Sequence, residues 1–315
     1  ECLHSMAVSN YNPIANYLDG IGEWAGIDHV LGLFNRLPGV SDEMKAYLRI
    51  WLRSMVAHWL QMDTLHGNEC VPILIGEQGC GKSTFCNRLL PPELRSYFFD
   101  HISFSNRFDL EMALTHALLV NIDEFNVMTP SQMAKLKQNL SKVKVNSRPI
   151  FGRTTEDRPR YSSFIATTNE RHPLCDPTGS RRFLCIEIPS GEFIDNESPI
   201  DYAQLYAQIL HELSLLGTRY WFTRDEENRI QELNSAFMKT DDIDMMIASS
   251  FDLENSESQG QWMSGNEVVN VLCRNYSQLK ADSGLKLRLG KALRYLGCKA
   301  KHTKRGQEYL LTTRK

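Results

Sequence analysis

Long hydrophobic runs are absent from this 315-residue sequence. No stretch of about 18 consecutive apolar residues occurs, and the N-terminus lacks a basic segment followed by an apolar one. We therefore expect a cytoplasmic protein with no membrane-spanning segment and no secretion signal. Because Glu1 is not a start methionine, we also expect a fragment of a longer polypeptide.

Metal-binding cysteine patterns and an overall positive charge are absent as well. The eight cysteines include no C-x-x-C pair and no Cys/His cluster at zinc spacing, so we interpret most of them as reduced thiols. The formal net charge of −3 argues against a uniformly basic nucleic-acid binder. The segment 286–315 is nevertheless strongly basic and follows an acidic, Ser-rich stretch, an asymmetry typical of a separate interaction region.

A phosphate-binding pattern is present. The sequence GEQGCGKS, from Gly76 to Ser83, matches G-x-x-x-x-G-K-[ST] at every fixed position. The apolar run 71–75 predicts a strand before it, and 84–90 predicts a helix after it. A chance match in a glycine-containing turn is the alternative, and this flanking pattern argues against it. Backbone N–H groups of such a loop point at phosphate oxygens.

We assign these loop residues to a nucleotide, ATP, with Mg²⁺. The assigned residues are Gly76, Glu77, Gln78, Gly79, Cys80, Gly81, Lys82, Ser83 and Thr84. Lys82 would reach the β- and γ-phosphates, and Ser83 would hold the magnesium ion. For Cys80 a tolerated small residue is a better interpretation than a catalytic thiol.

Two further strand-like runs end in polar side chains. The run 117–124, ALLVNIDE, ends in Asp123, which we assign to magnesium, and Glu124, which we assign to the attacking water. The run 164–170, FIATTNE, ends in a polar cluster in which Asn169 is assigned to the γ-phosphate or the lytic water. The alternatives are an acidic strand end without function and an asparagine that only caps its strand.

A pair of arginines follows in TGSRRF, residues 178–183. Arg181 and Arg182 would stabilise the charge that develops on the transferred phosphoryl group. Surface arginines are common, so a salt bridge within the same subunit is the alternative. This assignment is therefore less specific than the loop.

The four motifs together resemble the virulence-associated protein E family. The resemblance covers roughly residues 10–240 and includes 12–14 with 17–18, 24–26, 148–153 and 220–223. Two departures are modest: Ala25 stands where an acidic residue commonly follows the tryptophan, and Ile150-Phe151 replaces the usual Pro-Tyr. Neither touches the assigned ATPase residues.

The resemblance implies a fold and an assembly. The family is related to superfamily 3 helicases and to the primase-helicases of phages and other mobile elements. It implies an α/β P-loop NTPase of AAA+ type, whose five-stranded parallel sheet places the Asn169 strand between the phosphate-loop strand and the Asp123 strand. It also implies a ring, normally a hexamer, with Arg181 or Arg182 entering a neighbour's site.

Relatives of this superfamily carry a DNA-gripping hairpin just before the Asn169 strand. The corresponding interval is basic, and cations bind phosphates without regard to base sequence. A solvated basic loop is the alternative. The residues assigned to DNA are Lys142, Lys144, Arg148, Arg153, Arg158 and Arg160.

Patterns outside the motifs predict the domain organisation. We expect an N-terminal helical region over 1–66, the ATPase core over 67–190, a helical extension over 191–247 that includes a capping box at Thr223 and Glu226, and a linker over 248–262. Two helices, about 265–275 and 284–296, and a hairpin over 298–313 predict a basic winged-helix-like domain over 263–315, with an accessory interaction domain as the alternative.

These observations favour an ATP-hydrolysing DNA motor, a ring-forming replicative helicase of a mobile element that acts on single-stranded or forked DNA. A nucleotide-dependent switch or assembly ATPase, which binds DNA or protein without unwinding, is the second hypothesis. A small-molecule kinase is less favoured because the Asn169 strand and the paired arginines have no natural place in it.

Overall fold

The computed structural model describes residues 11–62, 65–104, 106–147, 154–176, 179–239, 242–253, 260–276, 279–303 and 306–314. The chain forms two compact units that divide between Met238 and Lys239. The boundary expected at residue 263 is wrong, because Ile243, Ile247 and Phe251 belong to the core of the second unit. The expected division of the first unit is not seen either, since its helical parts share one core with the sheet.

Most helices of the first unit begin at a residue whose side chain caps the helix N-terminus. Ser41 caps the long helix α3, and Thr129 and Thr223 form capping boxes with Gln132 and Glu226. The helices are α1 Pro13–Leu18, α2 His29–Phe34, α3 Asp42–Trp59, α4 Lys82–Arg88, α5 Arg107–His116, α6 Pro130–Leu140, α7 Tyr202–Ser214 and α8 Arg224–Leu233.

The strands of the first unit are short. They are β1 Val71–Ile75, β2 Phe98–Phe99, β3 Leu119–Ile122, β4 Lys144–Ser147, β5 Glu156–Pro159, β6 Ser163–Thr168 and β7 Phe183–Glu187. Strand β2 is the shortest of them, because in this part of the described chain only Phe98 and Phe99 pair with β3.

A parallel sheet with the order β2-β3-β6-β1-β7 forms the centre of the first unit. The order confirms that β6, which leads to Asn169, lies between β1 and β3. Because the strands are parallel, their ends lie along one side of the sheet, which we name the carboxyl edge. Their starts lie along the opposite side, the amino edge.

Both faces of this sheet are covered by helices. Leu74, Leu184 and Ile186 share a core with α3 and α7 on one face. Side chains from alternate positions, such as Ile73 and Phe183, pack with α5 and α6 on the other. Burial on both faces explains why the strands are continuous apolar runs rather than alternating ones.

The second unit is small and mixed. Its elements are α9 Asp242–Ser250, β8 Phe251–Asp252, β9 Gln261–Ser264, α10 Gly265–Asn275, α11 Ser283–Tyr295, β10 Ala300–Thr303 and β11 Gly306–Thr313. Strand β11 pairs antiparallel with β10, β9 and β8. The predicted helices and hairpin are confirmed. In neither unit is a described helix both long and apolar enough to cross a lipid bilayer.

Candidate functional site

The loop between β1 and α4 has the backbone that its glycines predict. Gly79 and Gly81 adopt φ of +86° and +95°, in the left-handed region that residues other than glycine rarely occupy. A Cβ atom at Gly81 would lie 2.5 Å from Asn196 Nδ2, whereas one at Gly79 would meet nothing within 4 Å. Gly81 is therefore required both by its backbone angle and by its close neighbour.

Lys82 lies inside this loop and is only 7% exposed. Its Nζ donates hydrogen bonds to the carbonyl oxygens of Gly76 (2.8 Å) and Glu77 (2.7 Å) and to Asn169 Oδ1 (2.9 Å). The structure thus brings together a lysine and an asparagine that lie 87 residues apart in the chain. The Lys82 ammonium group is therefore a buried positive charge at the carboxyl edge of the sheet, held in place by oxygen acceptors.

Asp123 and Glu124 lie immediately beyond the end of β3, at the same edge. Asp123 accepts a hydrogen bond from Thr167 Oγ1 of β6. Burial raises the pKa of the Cys86 thiol in α4, and the nearby Asp123 carboxylate raises this pKa further. Since Cys86 follows Ser83 by about one helical turn, Asp123 lies close to the helix that carries Ser83.

Glu124 has an unusual backbone. Its φ is +50°, in the left-handed region, where a residue other than glycine is uncommon. Such conformations cost free energy and cluster at functional sites. The carboxylate is exposed, and it faces a cavity of about 410 Å³ beside β3.

That cavity contains a polar group missed from sequence. Asn121 is 2% exposed, and within the described chain its Oδ1 has no hydrogen-bond partner. An orphaned buried amide oxygen is costly unless a donor such as water satisfies it. Other residues lining the cavity are Asp100, His101, Ile102, Phe104, Ile122, Asp123, Val127, Met128 and Gln132.

Two threonines at the end of β6 also escaped the sequence analysis. Besides the bond from Thr167 to Asp123, Thr168 Oγ1 donates to Asn126 Oδ1 at 2.8 Å and accepts from the Glu170 backbone N–H at 3.0 Å. These bonds join the tip of β6 to the turn after β3. The repeated hydroxyl residues before Asn169 were the available signal.

A segment after β7, Ile188–Asn196, packs along the outside of the phosphate-loop sequence, and we name it the strap. No sequence pattern indicated it. Arg36 holds the chain just beyond it through bonds from Nη1 to Ser198 O (2.8 Å) and from Nη2 to Pro199 O (2.7 Å). Four hydrogen bonds join the strap to β1 and the loop: Ile188 N to Ile75 O (2.7 Å), Ser190 Oγ to Glu77 Oε1 (2.5 Å), Ile194 N to Cys80 O (3.0 Å) and Asn196 Nδ2 to Gly81 O (2.9 Å).

The paired arginines lie at the amino edge. They form a short 3₁₀ turn before β7, whose first residue, Phe183, pairs with Val71. Arg181 Nη1 lies 2.8 Å from Glu227 Oε2, and Arg182 Nε lies 3.9 Å from Glu69 Oε2. A strand advances about 3.3 Å per residue, so β1 separates them from the loop by about 13 Å along the sheet. One chain does not bring them together with Lys82.

A different arginine lies at the carboxyl edge and was missed. Arg171, two residues beyond Asn169, places its Nε 2.8 Å from Glu187 Oε1 at the end of β7. Its side chain is 69% exposed. Sequence alone offered only its proximity to Asn169 as a signal.

A hairpin precedes β6, as the resemblance implied. Strands β4 and β5 pair antiparallel, with Lys144 opposite Pro159 and Val145 opposite Arg158. Lys142 and Lys144 are exposed, whereas Arg158 is half-buried on the face it shares with buried Val145. The predicted contacts Arg148 and Arg153 lie outside the described residues.

Arg160 corrects the prediction for this interval. It is 0% exposed, and burial lowers its pKa to about 10, so the guanidinium stays charged at neutral pH. Its donors are taken by backbone carbonyls at the base of the hairpin, so it anchors this structure and cannot contact DNA. The accepting oxygens belong to Asn68, Asn139, Leu140, Lys142 and Ser162.

The fold and this set of side chains fit a known family. A family model described as virulence-associated protein E-like domain matches residues 18–239, well over half of the chain. The chain therefore belongs to the virulence-associated protein E-like family. No protein of curated function matches its sequence significantly.

Solved structures share the fold at low identity. An A-form apo structure of the NrS-1 C-terminal region, residues 305–718, has a TM-score of 0.51 at 13% identity, covering 96% of this chain and 79% of that one. Another apo structure of the same region has a TM-score of 0.50 at 12% identity, with 97% and 79% covered. These similarities concern the fold.

Proposed function

We propose that the chain hydrolyses ATP at the carboxyl edge of its sheet and uses the reaction to move along single-stranded DNA as a ring. The observation that carries the proposal is the contact between Lys82 and Asn169, with Asp123 just beyond the end of the neighbouring strand β3. Three assigned residues, which follow three different strands, thus lie at one edge of the sheet, and an accidental match to a short loop pattern does not explain this.

Each residue has a role that its position supports. Lys82 would exchange its carbonyl partners for phosphate oxygens, and Asn169, now its neighbour, would bind the γ-phosphate or the attacking water. Glu124 would accept a proton from that water. Asn121 lies within β3, two residues before Asp123, and its amide oxygen is free to accept a hydrogen bond from water in the adjoining cavity.

The residues present also fit a magnesium ion. Ser83 and Asp123 offer two oxygen ligands, and Mg²⁺ commonly takes one or two protein ligands with the rest from phosphates and water. When bound, the ion would neutralise charge on the phosphates. In the described ranges no cluster of three His, Cys, Asp or Glu side chains could hold a metal by itself, which agrees with an ion shared with the nucleotide.

The ring accounts for the position of the arginines. Arg181 and Arg182 cannot reach the loop of their own chain across the sheet, but a second copy packed against the amino edge would receive them. Such an arginine supplied from a neighbour stabilises the transferred phosphoryl group. The family and the hairpin Lys144–Pro159 support DNA as the track and mobile-element replication as the process.

The experiment compares ATP hydrolysis by the full chain with and without single-stranded DNA, and measures particle mass in nucleotide. We expect hydrolysis that rises with DNA, in a ring of several copies. Lys82→Ala should be inactive, and Lys239→Ala, which alters an exposed lysine outside the site, should match the parent. Tight nucleotide binding with slow turnover that DNA leaves unchanged would support a switch instead.

A further inference from the structure

The second unit carries a basic helix face that the other described residues of this unit leave uncovered. Helix α11 buries Leu285, Leu289 and Leu293 in the core of its unit. Its exposed side carries Lys286, Arg288, Lys291 and Arg294. None of these four forms an ion pair with a carboxylate among the described residues of the second unit. Four uncompensated cations on one helix attract a polyanion.

The geometry of this face is regular. At about 100° per residue, Leu287, Lys291 and Arg294 point away from the buried leucines, and Lys286 and Arg288 flank them. Leu287 is 63% exposed, so this leucine is not part of the core of its own unit. An exposed leucine among cations suits a partner that offers both negative charge and apolar groups.

The connectivity places this helix in a known context. The unit begins with helix α9 and the strands β8 and β9, continues with helices α10 and α11, and ends with the strands β10 and β11. Strand β9 pairs with β11, which pairs with β10. In helix-turn-helix proteins the second helix of the consecutive pair enters the major groove. Here that helix is α11.

We propose that the second unit binds double-stranded DNA by placing α11 in the major groove. Lys286 and Arg288 would bind backbone phosphates, Lys291 and Arg294 would reach phosphates or guanine edges, and Leu287 would contact thymine methyl groups. This goes beyond movement along single strands, because it attaches the protein to chosen duplex sites. It does not depend on ATP hydrolysis.

The dimensions favour duplex DNA over other polyanions. A helix of this length spans about 20 Å and is about 10–12 Å wide, which fits a major groove about 12 Å wide. The corresponding groove of duplex RNA is too narrow and deep for side chains to read. Single strands are gripped by aromatic platforms, and the aromatic residue on this face, Tyr295, lies at the end of the helix.

The test measures binding of the full chain, without nucleotide, to a 30-base-pair DNA duplex and to a single strand of equal length, lengths of about three helical turns. Lys291→Glu should weaken duplex binding about tenfold or more. Arg314→Glu is the matched control, because it makes the same charge change at an exposed residue of the same unit. It should change duplex affinity less than about twofold, and neither variant should alter single-strand binding by more.

Selection from a random duplex pool tests recognition of sequence. The parent chain should enrich a common motif, and Leu287→Ala should lose or change it. Circular dichroism verifies folding, and Lys291→Gln replaces Lys291→Glu if the reversal unfolds the unit. The proposal is overturned if duplex DNA does not bind, if the control weakens binding as much as Lys291→Glu, if duplex RNA of the same sequence binds equally well, or if selection enriches no motif.

Discussion

The two edges of the central sheet carry complementary parts of one proposed site. At the carboxyl edge, Lys82 contacts Asn169, and Asp123 follows the end of the adjacent strand β3, so one chain brings these residues to the same edge. At the amino edge, Arg181 and Arg182 face Glu227 and Glu69 of their own chain. In the proposed mechanism, the carboxyl edge binds ATP within one copy, whereas the arginines of the amino edge would act on the ATP of another copy.

Sequence proximity hides this separation. Asn169 and the paired arginines are close in sequence, yet β6 ends at Thr168, just before Asn169, and β7 begins at Phe183, just after Arg182. In a parallel sheet, such a connection returns the chain to the opposite edge. Motifs that are neighbours in sequence therefore lie at opposite edges of the sheet.

The acids at the amino edge are weak competitors for the arginines. Arg181 and Glu227 are both partly exposed, and such surface pairs contribute about 0–1 kcal/mol. A phosphate from a neighbouring copy would therefore displace Glu227 at little cost. The contact within one chain is compatible with a role between chains.

The largest expected effect comes from removing both arginines of the amino edge while the carboxyl edge stays intact. The Arg181→Ala, Arg182→Ala double variant should lower turnover by about 10³–10⁵, because it removes the proposed transition-state cation, while ATP still binds at the carboxyl edge. Turnover and nucleotide affinity are measured together. Arg107→Ala, which alters an exposed arginine paired within its own helix, is the control. Normal turnover in the double variant would show that neither arginine stabilises the transferred phosphoryl group.

Glu124→Gln tests the carboxyl edge alone. It keeps the shape and removes the base, so hydrolysis should fall by about 10²–10⁴. ATP should still bind and raise the melting temperature by mass action. Hydrolysis at the parent rate would show that Glu124 is not the base.

Asn196→Ala sharpens the account of the strap. The lost hydrogen bond to Gly81 O is worth about 1 kcal/mol, so ATP affinity should fall by up to about fivefold with little change in maximal rate. Glu197→Ala changes the exposed residue just after the strap and should leave affinity unchanged. If the two variants behave alike, the strap does not support the loop.

The smallest effect concerns the hairpin. Lys144→Ala should reduce the log–log salt slope of single-strand binding by about 0.7, the contribution of one neutralised phosphate. Lys239→Ala provides the exposed-lysine control. An unchanged slope would move the DNA contact elsewhere on the first unit.

Sequence reasoning recovered what local patterns encode. The loop glycines, the apolar strands and the capping box at Thr223 and Glu226 each have a short-range physical cause, and all three match the structure. The strand order followed from the family resemblance. The five-stranded sheet placed β6 between β1 and β3, as that resemblance implied.

Contacts between distant segments escaped it. The strap and Thr167 make tertiary contacts that no spacing rule reveals, and only the fold shows that the Asn121 side chain is buried beside a cavity. Arg160 was misassigned for the same reason, because a basic interval suggests exposed cations and only the fold shows which one is buried. The predicted start of the second unit was wrong because Phe251, within the expected linker, belongs to the core of that unit.

Mixing two inactive variants tests the divided site most directly. Lys82→Ala chains retain the arginines, and the double arginine variant retains the loop, so mixed rings contain interfaces with both parts intact. We predict that ATP hydrolysis reappears on mixing in rings verified by mass. Diluting the parent chain with Lys82→Ala measures how independently the sites act. Mixed rings that stay inactive, while that dilution lowers parent activity only in proportion, would contradict a site shared between two copies.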